Sequence, residues 1–284
     1  MKPAILVVAF GSTVEQARAR DIEPIVERIR QQFPGFEVRL AFTSRLVVKR
    51  LRDAGINIPT EEAAFEALAA EGYEAIYVQP LHLTGGQEYA KLKMHMIRQG
   101  KAHKIQTVRV GRPLLYYMGQ EGNPDDYQLL IDAFIKSLDI PRDQGLLFIG
   151  HGGISIGNAA YGFLQFKLLR AGLGHVRVAT LECAPYVDDV ALPWSWLDGV
   201  EPKKIHLHPL LLVAGDHAQH DIFGDEEDSV LNRLLQVGYD VVSYRKGLGE
   251  YEAIQNLFVQ HVQDMLDDTY GKRSKKRPVI PNIT

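Results

Sequence analysis

His208-Pro209-Leu210-Leu211-Leu212-Val213-Ala214-Gly215-Asp216-His217 is the stretch that decides the fold, because the first half of the chain carries its echo. The echo is Gln79-Pro80-Leu81-His82-Leu83-Thr84-Gly85-Gly86-Gln87-Glu88. Aligned without gaps, Pro80 matches Pro209, Gly86 matches Gly215, and Glu88 falls where His217 stands. A second pair agrees with the first. Ile5-Leu6-Val7-Val8-Ala9-Phe10-Gly11-Ser12 resembles Leu146-Leu147-Phe148-Ile149-Gly150-His151-Gly152-Gly153, with Phe10 in the place of His151. Two half-chains therefore read as copies of one unit, and only the second copy has a histidine in both loops. That asymmetry points to a cleft between lobes with its metal chemistry on one wall.

Working outward, short β-branched runs alternate with longer helical patterns, the signature of parallel strands joined by helical crossovers. Strands are expected at 4–9, 37–41, 75–79 and 104–110, then at 145–150, 175–181, 204–208 and 240–243. Helices are expected at 14–32, 45–54, 61–70 and 87–99, then at 156–171, 225–237 and 251–266. The fold class is α/β, with two similar lobes, each a parallel sheet flanked by helices. The stretch 112–126, with its prolines, glycines and polar residues, is the expected connection. It divides the chain into a lobe of 1–120 and a lobe of 121–284, the second carrying the metal site. Ligands of parallel α/β sheets bind beyond the carboxyl ends of the strands. Phe10, residues 79–88, His151, Glu182 and residues 208–217 all fall at or just past such ends.

The chain has 284 residues, 46% of them hydrophobic, enough for two lobes of roughly 100–150 residues each. A net charge of −3 gives no basic face for nucleic acid. No apolar run is long enough to span a bilayer, and no secretory signal stands at the start, so a cytoplasmic protein is expected. One cysteine allows no internal disulfide. The basic run Lys272-Arg273-Ser274-Lys275-Lys276-Arg277 reads as a solvated terminus.

Among the candidate site residues, His151 stands between glycines after a strand, where an imidazole can bind a divalent ion or take a proton. Glu182 ends a predicted apolar strand, where a carboxylate is costly to bury unless paired or bound to a cation. His217 is flanked by Asp216 and Asp221, either of which can orient a metal-binding imidazole. Two histidines and one carboxylate leave open positions, as suits a first-row ion that must be handed on. Gly153-Ile154-Ser155-Ile156-Gly157 matches a nucleophile elbow, but Ser155 stands too far beyond the strand to serve as one. Gly150-His151-Gly152-Gly153-Ile154-Ser155 nearly matches a dinucleotide loop, with Glu182 as the ribose acid. A dinucleotide-binding protein is thus the alternative reading, and it leaves His217 unexplained.

These residues resemble the anaerobic cobalt chelatases, the sirohydrochlorin cobaltochelatases of the cobalamin pathway. The likeness runs from about Pro3 to Met265. It rests on Val7-Val8-Ala9-Phe10-Gly11-Ser12, Ala41-Phe42-Thr43-Ser44, Leu81-His82 with Gly86-Gln87-Glu88-Tyr89, Gly150-His151-Gly152, and the long run from Leu210 to His217. The resemblance implies a ferrochelatase-like fold and ATP-independent insertion of Co2+, the substrate metal, into sirohydrochlorin. It places His151, Glu182 and His217 on the metal-binding positions. Where the family usually follows the glutamate with Ser-Tyr-Pro, this chain has Cys183-Ala184-Pro185. Two pyrrole protons must leave as the metal enters, so His151 is the expected base and Glu88, across the repeat from His217, the expected helper. Phe10, Gly11, Ser12 and Arg45 are expected to bind the macrocycle and its carboxylates. No organic cofactor is implied, the residues do not separate cobalt from iron or nickel, and a homo-oligomer is compatible with the reading.

Overall fold

The structure is a computed structural model, and it describes residues 2–153, 155–192, 194, 201–215 and 218–269. The first sheet is built from β1 (Pro3–Ala9), β2 (Glu37–Phe42), β3 (Ala75–Pro80) and β4 (Thr107–Val110). Threaded among and after them are α1 (Glu15–Asp21), α2 (Glu23–Gln32), α3 (Arg45–Asp53), α4 (Glu61–Ala70), α5 (Gln87–Ala102) and α6 (Asp126–Ala133). The second sheet comprises β5 (Gly145–Gly150), β6 (Val176–Thr180), β7 (Lys204–Pro209) and β8 (Asp240–Ser243). With it go α7 (Ala159–Arg170), α8 (Val187–Val190), α9 (Val230–Val237) and α10 (Glu252–Leu266).

Both sheets are wholly parallel and have the same strand order, β2-β1-β3-β4 and β6-β5-β7-β8. The repeat holds to the residue. Val8 pairs with Pro80 as Ile149 pairs with Pro209, and Ile5 with Val38 as Leu146 with Val176. Beyond the strands the pattern continues. Ser44 N–H donates to Phe10 O at 3.1 Å, and Glu182 N–H donates to His151 O at 3.0 Å. Glu182 therefore occupies the place that Ser44 holds in the first lobe, an equivalence invisible until β2 and β6 are aligned.

Strand alternation divides the core into three parts. Ile5 and Val7 of β1, with Leu146 and Phe148 of β5, face a shared interior between the sheets. Ala4, Leu6 and Val8 bury against the outer helices of the first lobe, and Leu147 and Ile149 against those of the second. The helix after the fourth strand of each sheet crosses to the other lobe. Thus α6 packs on α7, while α10 packs on α2 and β3, and the two crossing helices touch each other. Arg112 fixes that crossing. Its Nε is 3.0 Å from Asp126 Oδ1 on α6, and its Nη2 is 2.8 Å from Asp264 Oδ2 on α10, all three being buried.

Several expected boundaries move for identifiable reasons. The single helix expected over 14–32 is two, because Pro24 in the first turn of α2 has no N–H to continue the ladder from α1. The helix expected from 225 begins at Val230, where the Ser229 hydroxyl accepts from Asn232 N–H at 3.3 Å and caps it. β4 starts at Thr107 rather than 104, since Lys104 has a φ of 56° that a strand cannot hold. Gln79 and His208, expected at strand ends, are core residues inside β3 and β7. His208 Nε2 lies 2.7 Å from the Tyr251 hydroxyl, and burial pushes its pKa down to about 4, so the ring is neutral.

Candidate metal centre

His151 and Glu182 meet at the carboxyl ends of β5 and β6. The Nδ1 of His151 is 3.4 Å from Glu182 Oε2, with side chains 36% and 56% exposed. The loop that carries His151 makes this approach possible. Gly152 has a φ of 85°, and a methyl group there would stand 2.8 Å from Thr180 Oγ1 and 3.1 Å from Cys183 N. Gly11, its counterpart, has a φ of 101° and lies against the Phe42 ring. An imidazole beside a carboxylate, both open to solvent on one side, supplies two donors of the type that holds a divalent first-row ion.

His217, the expected third donor, and Asp216 lie outside the described residues. Among the described residues no group of three or more His, Cys, Asp or Glu is arranged to hold a metal ion. The segment 210–215 leads to His217 from the end of β7, where Leu210 N–H donates to Ile149 O at 2.7 Å. It reaches the first lobe: a methyl group on Gly215 would stand 3.7 Å from Ser12 Oγ. The loop after β1 and the loop after β7 thus adjoin.

The opposite pair of loops also meets. Gln87 N–H donates to Ser155 Oγ at 3.3 Å, and Gly157 lies directly on Gly86. Glu88 follows this junction in the first turn of α5, exposed and 3.0 Å from Lys91 Nζ. Behind it, His82 keeps both ring nitrogens buried, without a hydrogen-bond partner among the described residues. Burial lowers its pKa to about 4, against the opposing pull of the Glu88 charge.

Of the residues expected to bind substrate, Phe10 stands out from the end of β1, 59% exposed. Ser12 is buried, its hydroxyl accepting from Val14 N–H at 3.2 Å and its carbonyl from Arg18. Arg45 turns its guanidinium to Glu61 and Glu62, at 3.2 and 3.3 Å, so its charge is already answered within the first lobe. Beside Glu182 opens a cavity of about 550 Å3 whose wall includes Asp188, His220, Asp221, Glu226 and Asp228. Of these, Asp221 is the flank of His217 that the sequence marks; Asp188, Glu226 and Asp228 carry no spacing that marks them. The negative wall favours cations over anions.

Two parallel sheets related by an internal repeat, with an imidazole–carboxylate pair at the strand ends of one sheet, define a two-lobed chelatase-type α/β protein. The chain belongs to the cobalt chelatase (CbiK) family, whose model matches residues 3–267. It is 32% identical over 271 residues to the sirohydrochlorin cobaltochelatase of Salmonella typhimurium, covering 94% of this chain and 97% of that one. It is 31% identical over 263 residues to the sirohydrochlorin cobaltochelatase CbiKC of Nitratidesulfovibrio vulgaris, covering 92% and 89%. In fold it is similar to SirB from Bacillus subtilis with Fe3+, with a TM-score of 0.65 at 18% identity, covering 96% of this chain and 99% of that one. It is also similar to CbiX, the terminal enzyme for biosynthesis of siroheme in denitrifying bacteria, with a TM-score of 0.53 at 16% identity over 92% of this chain and 98% of that one. Among the described residues no helix is long and apolar enough to cross a membrane.

Proposed function

We propose that this protein inserts Co2+ into sirohydrochlorin without ATP, as a cytoplasmic enzyme of tetrapyrrole biosynthesis that needs no organic cofactor. The observation that carries the reading is the His151–Glu182 pair, 3.4 Å apart at two adjacent strand ends of one lobe only. Its counterparts in the first lobe, Phe10 and Ser44, offer no such pair. One wall of the cleft thus handles metal, and the other presents an aromatic face. The division into lobes of 1–120 and 121–284, with the metal site on the second, belongs to the same proposal.

In the mechanism, Glu182, His151 and His217 receive Co2+ and bring it to the macrocycle. The two pyrrole N–H protons leave as the Co–N bonds form. A neutral imidazole that has released the metal accepts one of them, which assigns His151 as base. Glu88, on the far side of the Gly86–Gly157 junction, assists proton removal or orients the ring. Phe10, Gly11 and Ser12 form the first-lobe edge against the macrocycle, and Arg45 serves its carboxylates only by exchanging Glu61 and Glu62 for them. The dinucleotide alternative is not retained, because Ser155 is engaged at the lobe junction and the family is that of a chelatase.

The test is the absorbance change of sirohydrochlorin mixed with protein and Co2+, against Fe2+ and Ni2+, after subtraction of the spontaneous reaction. His151→Ala is expected to lower the enzymatic rate by about 100-fold or more. Glu182→Ala and His217→Ala are expected to weaken Co2+ binding measured by calorimetry. No acceleration over the protein-free reaction with any of the three metals would falsify the chelatase reading.

A further inference from the structure

Asp21 closes α1 in the first lobe, 1% exposed, and its Oδ2 accepts from the N–H of Ala214 at 2.8 Å. Ala214 belongs to the segment after β7 that leads into His217. The other edge of that segment is held as well: Leu211 O and Leu212 O accept from Leu248 and Gly249 N–H at 2.9 and 3.0 Å. The turn that provides those donors is pressed onto Asp21. A methyl group at Gly247 would stand 2.6 Å from Asp21 Oδ2 and from Leu212 O, and one at Gly249 would stand 2.7 Å from Asp21 Cα. The end of α1, the segment before His217 and the turn before α10 therefore meet backbone to backbone, with the carboxyl group between them. Among the described residues its second oxygen, Oδ1, is buried without a partner, a cost that a merely space-filling residue would not carry.

The internal repeat supplies the comparison. At the corresponding junction of the other two loops, the acceptor is the neutral hydroxyl of Ser155, and the bond from Gln87 N–H is longer, at 3.3 Å. The Asp21 bond is the shorter of the two, at 2.8 Å against 3.3 Å, and so the stronger. The stronger device thus stands on the loop that ends in a histidine, and the weaker one on the loop that ends in Glu88.

We infer that Asp21 is a positioning residue for metal binding: reaching across from the first lobe, it holds the 210–215 segment that leads into His217. The inference rests on the proposed role of His217, and the experiment separates the two. Co2+ is titrated into the full-length protein without tetrapyrrole, with affinity and the visible absorption of bound Co2+ as readouts. Asp21→Ala is expected to weaken Co2+ binding about tenfold or more and to change the spectrum. Asp21→Asn keeps a carbonyl oxygen for Ala214 N–H and restores most of the affinity. Gly247→Ala, whose φ of −72° suits any residue, displaces the carboxyl from outside α1 and is expected to act like Asp21→Ala; it decides the matter if Asp21→Ala does not fold. Ser155→Ala, the corresponding change at the other junction, is expected to leave Co2+ affinity within about threefold of wild type. Wild-type affinity in a folded Asp21→Ala or Gly247→Ala protein overturns the inference. So does an equal loss in Ser155→Ala, which would reduce the contact to general adhesion between lobes. Unchanged affinity in His217→Ala refutes instead the ligand role of His217.

Discussion

The Gly86–Gly157 junction makes a sharp prediction about how closely the two lobes are fitted. In Gly157→Ala the new methyl group would lie 2.7 Å from Gly86 N and 3.2 Å from Gly85 C. Carbon atoms in comfortable contact are about 3.5–4.0 Å apart. The overlap is with main chain, so no side-chain rotation relieves it, and the loops must separate. Overpacking of this kind costs about 1–3 kcal/mol. The Gln87–Ser155 hydrogen bond lies in the same seam and weakens with it. For a chain of this size each kcal/mol lowers the melting temperature by about 2–4 °C. The control is Gly162→Ala in α7, where an added methyl meets nothing within 4 Å. There the higher helix propensity of alanine should stabilise by up to about 1 kcal/mol. Urea unfolding of both variants, with m-values compared to wild type, separates the effects. The chelation rate of Gly157→Ala should fall as well, because α5, which carries Glu88 in its first turn, starts at this seam. If Gly157→Ala unfolds at the wild-type urea midpoint, or Gly162→Ala loses as much stability, the argument from the junction fails.

Three further outcomes are expected. Arg112→Ala leaves Asp126 and Asp264 buried without their cation and should cost about 3–5 kcal/mol, read as a loss of Tm. Burial raises the Asp21 carboxyl to about 7, with Glu250 adding to the rise while the Ala214 N–H and Arg20 oppose it, so the folded state favours the proton. Its stabilising contribution is full below pH 3.8 and lost as pH climbs to 7. Asp21→Asn should therefore gain on wild type across that window, by at most about 4 kcal/mol, with no trend in the difference sinking the assignment. His82 has the opposite sign. Its pKa of about 4 lies below the unfolded 6.5, so stability present above pH 6.5 is lost as pH falls to 4. His82→Leu, copying Leu211 of the repeat, should flatten that acid limb and stabilise by about 1–3 kcal/mol by removing two unpartnered nitrogens; an unchanged acid limb would exonerate His82.

The strands were legible because a parallel strand buried on both faces writes itself as an unbroken apolar run, as Ile5 to Ala9 and Leu146 to Ile149 do. The repeat was legible because Pro80 and Pro209, and Phe10 and His151, stand at equal distances from such runs. His151 and Glu182 came together as expected because both follow strand ends, where the parallel fold gathers loops whatever their separation in sequence. Local chemistry that ends helices was weaker. Pro24 and Ser229 carry plain signals, yet each lies inside a longer apolar pattern that outweighed them. Least legible were groups whose partners are remote. Nothing near Asp21 announces Ala214, and nothing near Arg112 announces Asp264, since each pairing exists only once two lobes and an exchanged helix are in place. Arg45 shows the converse: its basic character was plain, but its pairing with Glu61 and Glu62 was not.

The crossing of α10 onto α2 and β3 sets an order on how the chain can be completed during synthesis. The first sheet is finished at Val110, but the helix that covers its inner face begins at Glu252. At about 5–20 residues per second, roughly 10–30 s pass before that helix is made. Through that interval the inner face of the nascent first sheet lacks its final cover, and the part of the protein made first is closed last. A stop codon between Ser243 and Glu252 would therefore harm the end of the molecule farthest from it in sequence, leaving the amino-terminal lobe open while the second sheet is already whole.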